Sequence, residues 1–186
     1  MKVNVGISNH HVHLSLDDYK ILFGNKELGI RNKLNQPSQF ASNLTVDVIG
    51  PKGKLENLVI VGPLRDYTQV EISKSDCFKL GINPPIRDSG DLHDASIVTI
   101  VGEKGQIEKK SAIIATRHIH VDSKIREEKK LVGIKEVSVK IGSEKSGIIE
   151  HVHLKDSESA YFELHLDTDD ANAFLLKNSD EVEIIL

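Results

Sequence analysis

Cysteine occurs once in the 186 residues, at Cys77. That excludes an internal disulfide and any zinc finger built on cysteine pairs. Aromatic residues make up 4% of the chain, too few for base stacking to be its business. No apolar run approaches the roughly 20 residues a helix needs to cross a bilayer. Neither sign of charge dominates: 24 Lys and Arg against 28 Asp and Glu leave a net charge of −4. This gives no reason to expect nucleic acid or an anionic membrane as partner. The N-terminus enters a strand-like pattern at once, MKVNVGI, without a signal-peptide pattern, so a cytoplasmic location is expected. A chain of this length is one large domain or two small ones and can bury a real core.

What the chain does have is histidine in a repeated pattern. GISNHHVHLSLDDY, TRHIHVD and EHVHLKD each contain His-x-His, at His11 and His13, His118 and His120, and His151 and His153. On a strand, residues i and i+2 face the same side about 6.6 Å apart at Cα. Two imidazoles so placed can converge on one ion, while Val12 and Ile119 point to the opposite face and can be buried. A catalytic zinc site needs three protein ligands and an open position, so each pair leaves a further ligand to find. TQVEIS supplies Glu71, and FELHLD supplies His165, with Glu163 on the same strand face.

The pattern is mostly β. Residues 45–62 are two β-rich runs around Gly-Pro-Lys-Gly, and residues 96–115 are two more around Gly102 and Gly105. The two hairpins align without a gap at an offset of 52 (Gly50 on Gly102, Gly53 on Gly105, Arg65 on Arg117). Either hairpins simply look alike or a β unit is partly duplicated. A third hairpin follows at VSVKIGSEKSGIIEHVHL, and the chain ends on EVEIIL. Many short strands with Gly-rich turns suggest barrels or a sandwich. Helices are few. Ser15 can cap LDDYKILF, with Asp17 and Asp18 in the first turn and Gly24 past the end, and Thr168 can cap DDANAFLLK. Each helix follows a histidine at a strand end, where free backbone N–H groups attract anions.

The stretches SNHHVHLS, QFASNLTVDVIGPKG, VGPLRDYTQVEISKSDCFKLGI, PPIRDSGD, ATRHIHV and FELHLDTDDANA resemble the PduL-type phosphotransacylases, the phosphate propanoyltransferases. The resemblance covers nearly the whole chain and is densest from Val3 to Asp122. It implies exchange of a short acyl group between CoA and phosphate (acyl-CoA plus phosphate giving acyl phosphate plus CoA). It implies a mainly β fold of two β-barrels with short capping helices, residues 1–9 with 118–186 in one and 10–117 in the other, and an active site between them holding two zinc ions. By motif, His11, His13 and Glu71 hold one zinc, and His118, His120 and His165 the other. Arg65 in GPLR binds phosphate. Ser8, Asn9, His10, Lys52 and Asn172 contact CoA. A homodimer is implied. Members that enter bacterial microcompartments carry an N-terminal helical extension; here the strand pattern begins at about residue 3, and a free cytosolic enzyme is expected. His10 stands where the family usually has Arg, and Val59 where a basic residue is common. Both reduce positive charge where CoA phosphates are expected.

The residue types suit this chemistry. Imidazole and carboxylate favour zinc over magnesium. Phosphate is a poor nucleophile toward a thioester, and cations with Arg65 can fix it and aim one oxygen at the carbonyl carbon. CoA thiolate is a fair leaving group, so direct transfer in a ternary complex is expected. The alternative is a dizinc hydrolase of thioesters or phosphoesters, in which the same ions activate water. A third reading is a non-catalytic zinc scaffold, which has no use for an anion clamp such as Arg65. If the strand between Arg65 and Glu71 is regular, the even step of six puts both side chains on one face. Cys77 is read as a packed small side chain, His151 and His153 as ordinary strand residues, His93 as a loop residue, and REEKK (126–130) as a solvated face. RDSGD (87–91) is a turn with an Arg-Asp pair or part of a substrate channel. Glu163 is a partner of a ligand histidine or a plain strand residue.

Overall fold

Alternation of apolar and polar residues sets the strands, and Ser or Asp residues start the helices. The structure, a computed structural model, describes residues 1–157 and 161–186. In chain order the elements begin β1 (Lys2–Ser8), β2 (His11–His13), α1 (Leu16–Phe23), β3 (Ile30–Lys33), β4 (Phe40–Ile49) and β5 (Lys54–Gly62). Then come β6 (Gln69–Glu71), α2 (Lys74–Leu80), β7 (Ile86–Arg87), β8 (Ser96–Val101), β9 (Gln106–Ala115) and β10 (His118–Val121). The last are α3 (Ser123–Glu128), β11 (Glu136–Ile141), β12 (Gly147–Asp156), β13 (Glu163–Asp167), α4 (Thr168–Ala173) and β14 (Glu181–Ile185). The fold is mainly β, with short helices. Two compact units share these elements: His10–Ala115, and Met1–Asn9 with Thr116–Leu186.

In the unit His10–Ala115, strand pairing returns on itself. β4 pairs β5, β5 pairs β2, β2 pairs β6, β6 pairs β9, β9 pairs β8, and β8 pairs β4, closing a ring of six. β3 and β7 are added outside it. Val12, Val70, Leu58, Ile60 and Ile100 are fully buried inside, with Leu22 and Phe23 of α1 and Leu80 of α2 against them. Each such side chain contributes on the order of 2 kcal/mol.

The ring is a duplication with its turns exchanged. β2-α1-β4-β5 is repeated as β6-α2-β8-β9. Ser15 caps α1 by accepting from Asp18 N, and Ser73 caps α2 by accepting from Asp76 N. The β4–β5 turn packs on the end of α2, where Lys52 N donates to Leu80 O at 3.0 Å. The β8–β9 turn packs on the end of α1, where Lys104 N donates to Leu22 O at 2.9 Å. These turns need glycine because they approach so closely. A Cβ at Gly50 would lie 2.4 Å from Leu80 O, and one at Gly102 2.6 Å from Leu22 O. Of the two explanations for the aligned hairpins, the duplicated unit is the one the fold supports.

The other unit closes a barrel in the order β1-β13-β10-β12-β11-β14. Its parallel and antiparallel pairings run in the same sequence around the ring as in the first. Ile119, Val139, Val152 and Leu164 are fully buried in its core. Here α4 corrects one expectation. Its N-cap is Asp167, which accepts from Asp170 N, and Thr168 is the first helical residue. The helix stops at Ala173 instead of running through FLLK. Leu175 turns to φ 53°, which brings Leu176 back to the core at 8% exposure. Asp167 thus holds the place that Ser15, Ser73 and Asp122 hold at the other helices.

Candidate functional site

The wall of each barrel includes a pair of short antiparallel strands. In one, β2 opposes β6 with His11 facing Glu71, Val12 facing Val70, and His13 facing Gln69. The buried valines point into the core, so the four polar side chains share the opposite face. His11 Nε2 lies 3.1 Å from His13 Nε2, and Glu71 Oε2 and Oε1 lie 3.6 and 3.7 Å from those two nitrogens. His13 donates from Nδ1 to Val61 O at 3.0 Å, which leaves Nε2 for a ligand. Burial pushes the His13 imidazole down to about 4, so it is neutral at physiological pH, the form that binds metal.

In the other barrel β10 opposes β13, with His118 facing His165, Ile119 facing Leu164, and His120 facing Glu163. The three histidine rings are mutually 4.9 to 5.0 Å apart. His118 donates from Nδ1 to Thr116 O at 2.8 Å. Burial, reinforced by His118 and His165, pushes His120 down to about 3. Glu163, 8% exposed, accepts from the Tyr161 hydroxyl and lies 3.2 Å from His165 Nε2. Burial and then Glu163 raise the Tyr161 hydroxyl well above its ordinary value, so it stays protonated.

Among the described residues, two groups have donors gathered within 4.8 Å: His11, His13 and Glu71, and His118, His120 and His165. Three nitrogen or carboxylate donors with further coordination left open suit zinc or a similar transition ion. His151 and His153 form no such group. They lie on β12 beside Glu136, 2.8 and 3.8 Å from its carboxylate oxygens, and His151 is largely exposed. His93 is exposed and pairs with Asp94. Cys77 is 1% exposed, with its thiol donating to Ser73 O.

Arg65 belongs to the unit His10–Ala115. β6 begins only at Gln69, so no regular strand joins Arg65 to Glu71, and the even-step premise does not apply. A side-chain chain links them instead. Arg65 Nη1 donates to Tyr67 Oη at 2.9 Å and to Ser89 Oγ at 3.1 Å. Gln69 Nε2 reaches Ser89 Oγ at 2.8 Å and Glu71 Oε1 at 2.6 Å, and Gln69 Oε1 accepts from Gly90 N at 2.7 Å. The RDSGD block is a turn with its Arg-Asp pair, Arg87 lying 3.6 Å from Asp91, and its Ser89 and Gly90 hold Gln69. Among the described residues Arg65 meets hydroxyls and the Tyr67 ring but no carboxylate. Its counterpart at the offset of 52, Arg117, is neutralised by Asp170 through two bonds of 2.7 Å.

The remaining expected contacts are scattered over both units. Ser8 ends β1, Asn9 is exposed, and Asn172 is exposed on α4. Lys52 is exposed on the β4–β5 turn, with its stem over Gly81. His10 Nδ1 lies 3.1 Å from Asp76 Oδ2. Burial alone would raise the Asp76 carboxyl, but bonds from His10 and Ser73 outweigh it and hold the group below its ordinary range. Val59 sits on β5 opposite His11. Sequence reasoning passed over Gln69 and Tyr67. The signal for Gln69 was available: HVH with QVE matches HIH with ELH, and Gln69 falls on Glu163.

Two barrels, each carrying a triad that could hold a metal ion, define a β-barrel protein, with an arginine in one unit that meets no carboxylate among the described residues. Comparison with known proteins sharpens this. Residues 4–177 match the family model for phosphate propanoyltransferase. A phosphate propanoyltransferase of Rhodopseudomonas palustris is 43% identical over 185 residues, covering 98% of this chain and 82% of that protein. One of Thermotoga maritima is 43% identical over 187 residues, covering 97% and 88%. One of Shewanella putrefaciens is 43% identical over 176 residues, covering 92% and 82%. The chain belongs to the phosphate propanoyltransferase family, enzymes of the phosphotransacylase class.

Proposed function

We propose that the protein exchanges a short acyl group between CoA and inorganic phosphate by direct transfer, with zinc or a similar ion held by each triad. His11, His13 and Glu71 would hold one ion, and His118, His120 and His165 the other. Such ions supply Lewis acidity toward phosphate and carbonyl oxygens. Arg65 binds the phosphate. Its guanidinium is always charged, presents a fork that matches phosphate oxygens, and among the described residues has no carboxylate of its own to satisfy. Ser89 and Tyr67 fix its direction. A phosphate oxygen attacks the thioester carbonyl carbon, the C–S bond breaks, and CoA leaves as thiolate. The chain's single thiol supports direct transfer, because Cys77 is buried and engaged with Ser73 and cannot carry the acyl group. Ser8, Asn9, His10, Lys52 and Asn172 are the CoA contacts. The proposal also takes in the cytoplasm and a homodimer.

The observation that carries the reading is Arg65 tied through Ser89 and Gln69 to the ligand Glu71. The test is a CoA-release assay with and without phosphate, beside metal analysis of the purified chain. Transfer requires phosphate and yields acyl phosphate. Phosphate-independent release of free acid would instead establish the hydrolase.

A further inference from the structure

We infer that Gln69 and Glu163 are a matched pair of positioning residues, each holding the last metal ligand of its own barrel by opposite hydrogen-bond chemistry. The inference rests on the metal reading proposed above. Gln69 precedes Glu71 by two on β6, and Glu163 precedes His165 by two on β13. Both occupy the place opposite the second histidine of the facing pair, His13 and His120. They are 0% and 8% exposed. Neither is a member of its triad.

The chemistry at this shared place follows the ligand. Where the ligand is a carboxylate, the neighbour is an amide that can donate: Gln69 Nε2 donates to Glu71 Oε1 at 2.6 Å, leaving Oε2 toward His11. Where the ligand is an imidazole, the neighbour is a carboxylate that can accept: Glu163 Oε2 lies 3.2 Å from His165 Nε2, beside the oxygen of Tyr161, which gives its proton to Glu163 and lies 2.9 Å from the same nitrogen. An acceptor there keeps the ring proton on Nε2, so the Nδ1 lone pair is the one offered to an ion. Each neighbour is braced in turn, Gln69 by Gly90 N and Ser89, and Glu163 by the Tyr161 hydroxyl. Space for the second arrangement is made by Gly6, which faces His165 from β1. A Cβ there would lie 2.5 Å from Glu163 Oε2.

The test measures zinc stoichiometry and chelator-competition affinity on the purified full chain. Glu163→Gln should weaken one of two ions about 10- to 100-fold and leave the other unchanged. Gln69→Glu sets acceptor against acceptor and should weaken the other ion instead. Gly6→Ala displaces the Glu163 carboxylate chiefly, with the His165 ring 3.3 Å from the added Cβ, and should act like Glu163→Gln, more weakly. The double variant Glu163→Gln with His165→Glu copies the first barrel's pair into the second. It should bind the second ion better than His165→Glu alone, which sets two carboxylates side by side. An unchanged second ion in both Glu163→Gln and Gly6→Ala, or a double variant no better than His165→Glu, overturns the inference while the metal reading stands. A wild-type chain that binds no zinc overturns both.

Discussion

Glu71 in one barrel and His165 in the other stand at the same place in the same frame, two residues before a helix N-cap. The remaining ligands match one for one, His11 with His118 and His13 with His120. The donor set with Glu71 carries one negative charge and the set with His165 carries none. An ion in the neutral set would keep more of its positive charge and would be the stronger Lewis acid. The anionic set shares its unit with Arg65, whose charge no carboxylate offsets among the described residues. One frame, used twice, thus offers two donor sets of different charge through a single change of triad member and a matching change of its neighbour.

The largest effects should come from breaking the frames themselves. His11→Ala and His120→Ala should each lose one ion and reduce activity to background, by metal analysis and the CoA-release assay. His151→Ala, on β12 and largely exposed, should lose neither. Equal loss at His151 would mean that the wrong His-x-His pair has been placed at the site.

The two arginines at the offset of 52 divide next. Arg65→Ala should lower kcat/KM about 10²- to 10³-fold, as removal of a charged transition-state contact does, and raise the phosphate KM while both ions stay. Arg65→Lys should rescue only in part, because a point charge lacks the fork. Arg117→Ala should leave the phosphate KM alone and cost stability of about 1 kcal/mol. An Arg65→Ala enzyme with normal phosphate dependence would remove the clamp.

The duplicated halves allow a subtler comparison. Gly50→Ala and Gly102→Ala should each lower stability by about 1–3 kcal/mol, measured by thermal melting, because backbone oxygens stand where the Cβ would go. A large effect at one and none at the other would show that the halves have ceased to be equivalent. The smallest effect concerns acid. Asp18 is buried, which alone would raise its pKa, but bonds from Lys109, Thr68 and Ser15 outweigh this and hold it below its ordinary value of 3.8. A lowered carboxyl stabilises the fold above the unfolded value and loses that contribution as pH falls through the folded one. Lys109→Ala should therefore bring on acid unfolding at a slightly higher pH.

Much of this was legible before any coordinates. His-x-His on short strands, the caps Ser15 and Gly24, the hairpins and the hint of duplication at an offset of 52 are local patterns, and local patterns survive in sequence. The misplaced cap at α4 was a local error of one residue, since Thr168 and Asp167 are both good caps and only backbone geometry separates them. The link from Arg65 to Glu71 was not legible. It runs through Ser89, 24 residues from Arg65 in the chain, and depends on how the loop before β8 folds back on β6. The contact of Gln69 with Glu71 was hidden for another reason: an isolated glutamine signals nothing until the fold sets it beside a carboxylate.

The exchanged turns carry a consequence for folding. In the unit His10–Ala115 each half finishes the other's helix, since Lys52 N satisfies Leu80 O and Lys104 N satisfies Leu22 O. A chain holding one half alone would leave those carbonyls without donors and its sheet without closing partners. Two such halves, joined end to end, supply one another's missing pieces. Joining them makes the two halves a single cooperative unit, in which neither helix is complete until the whole ring has closed.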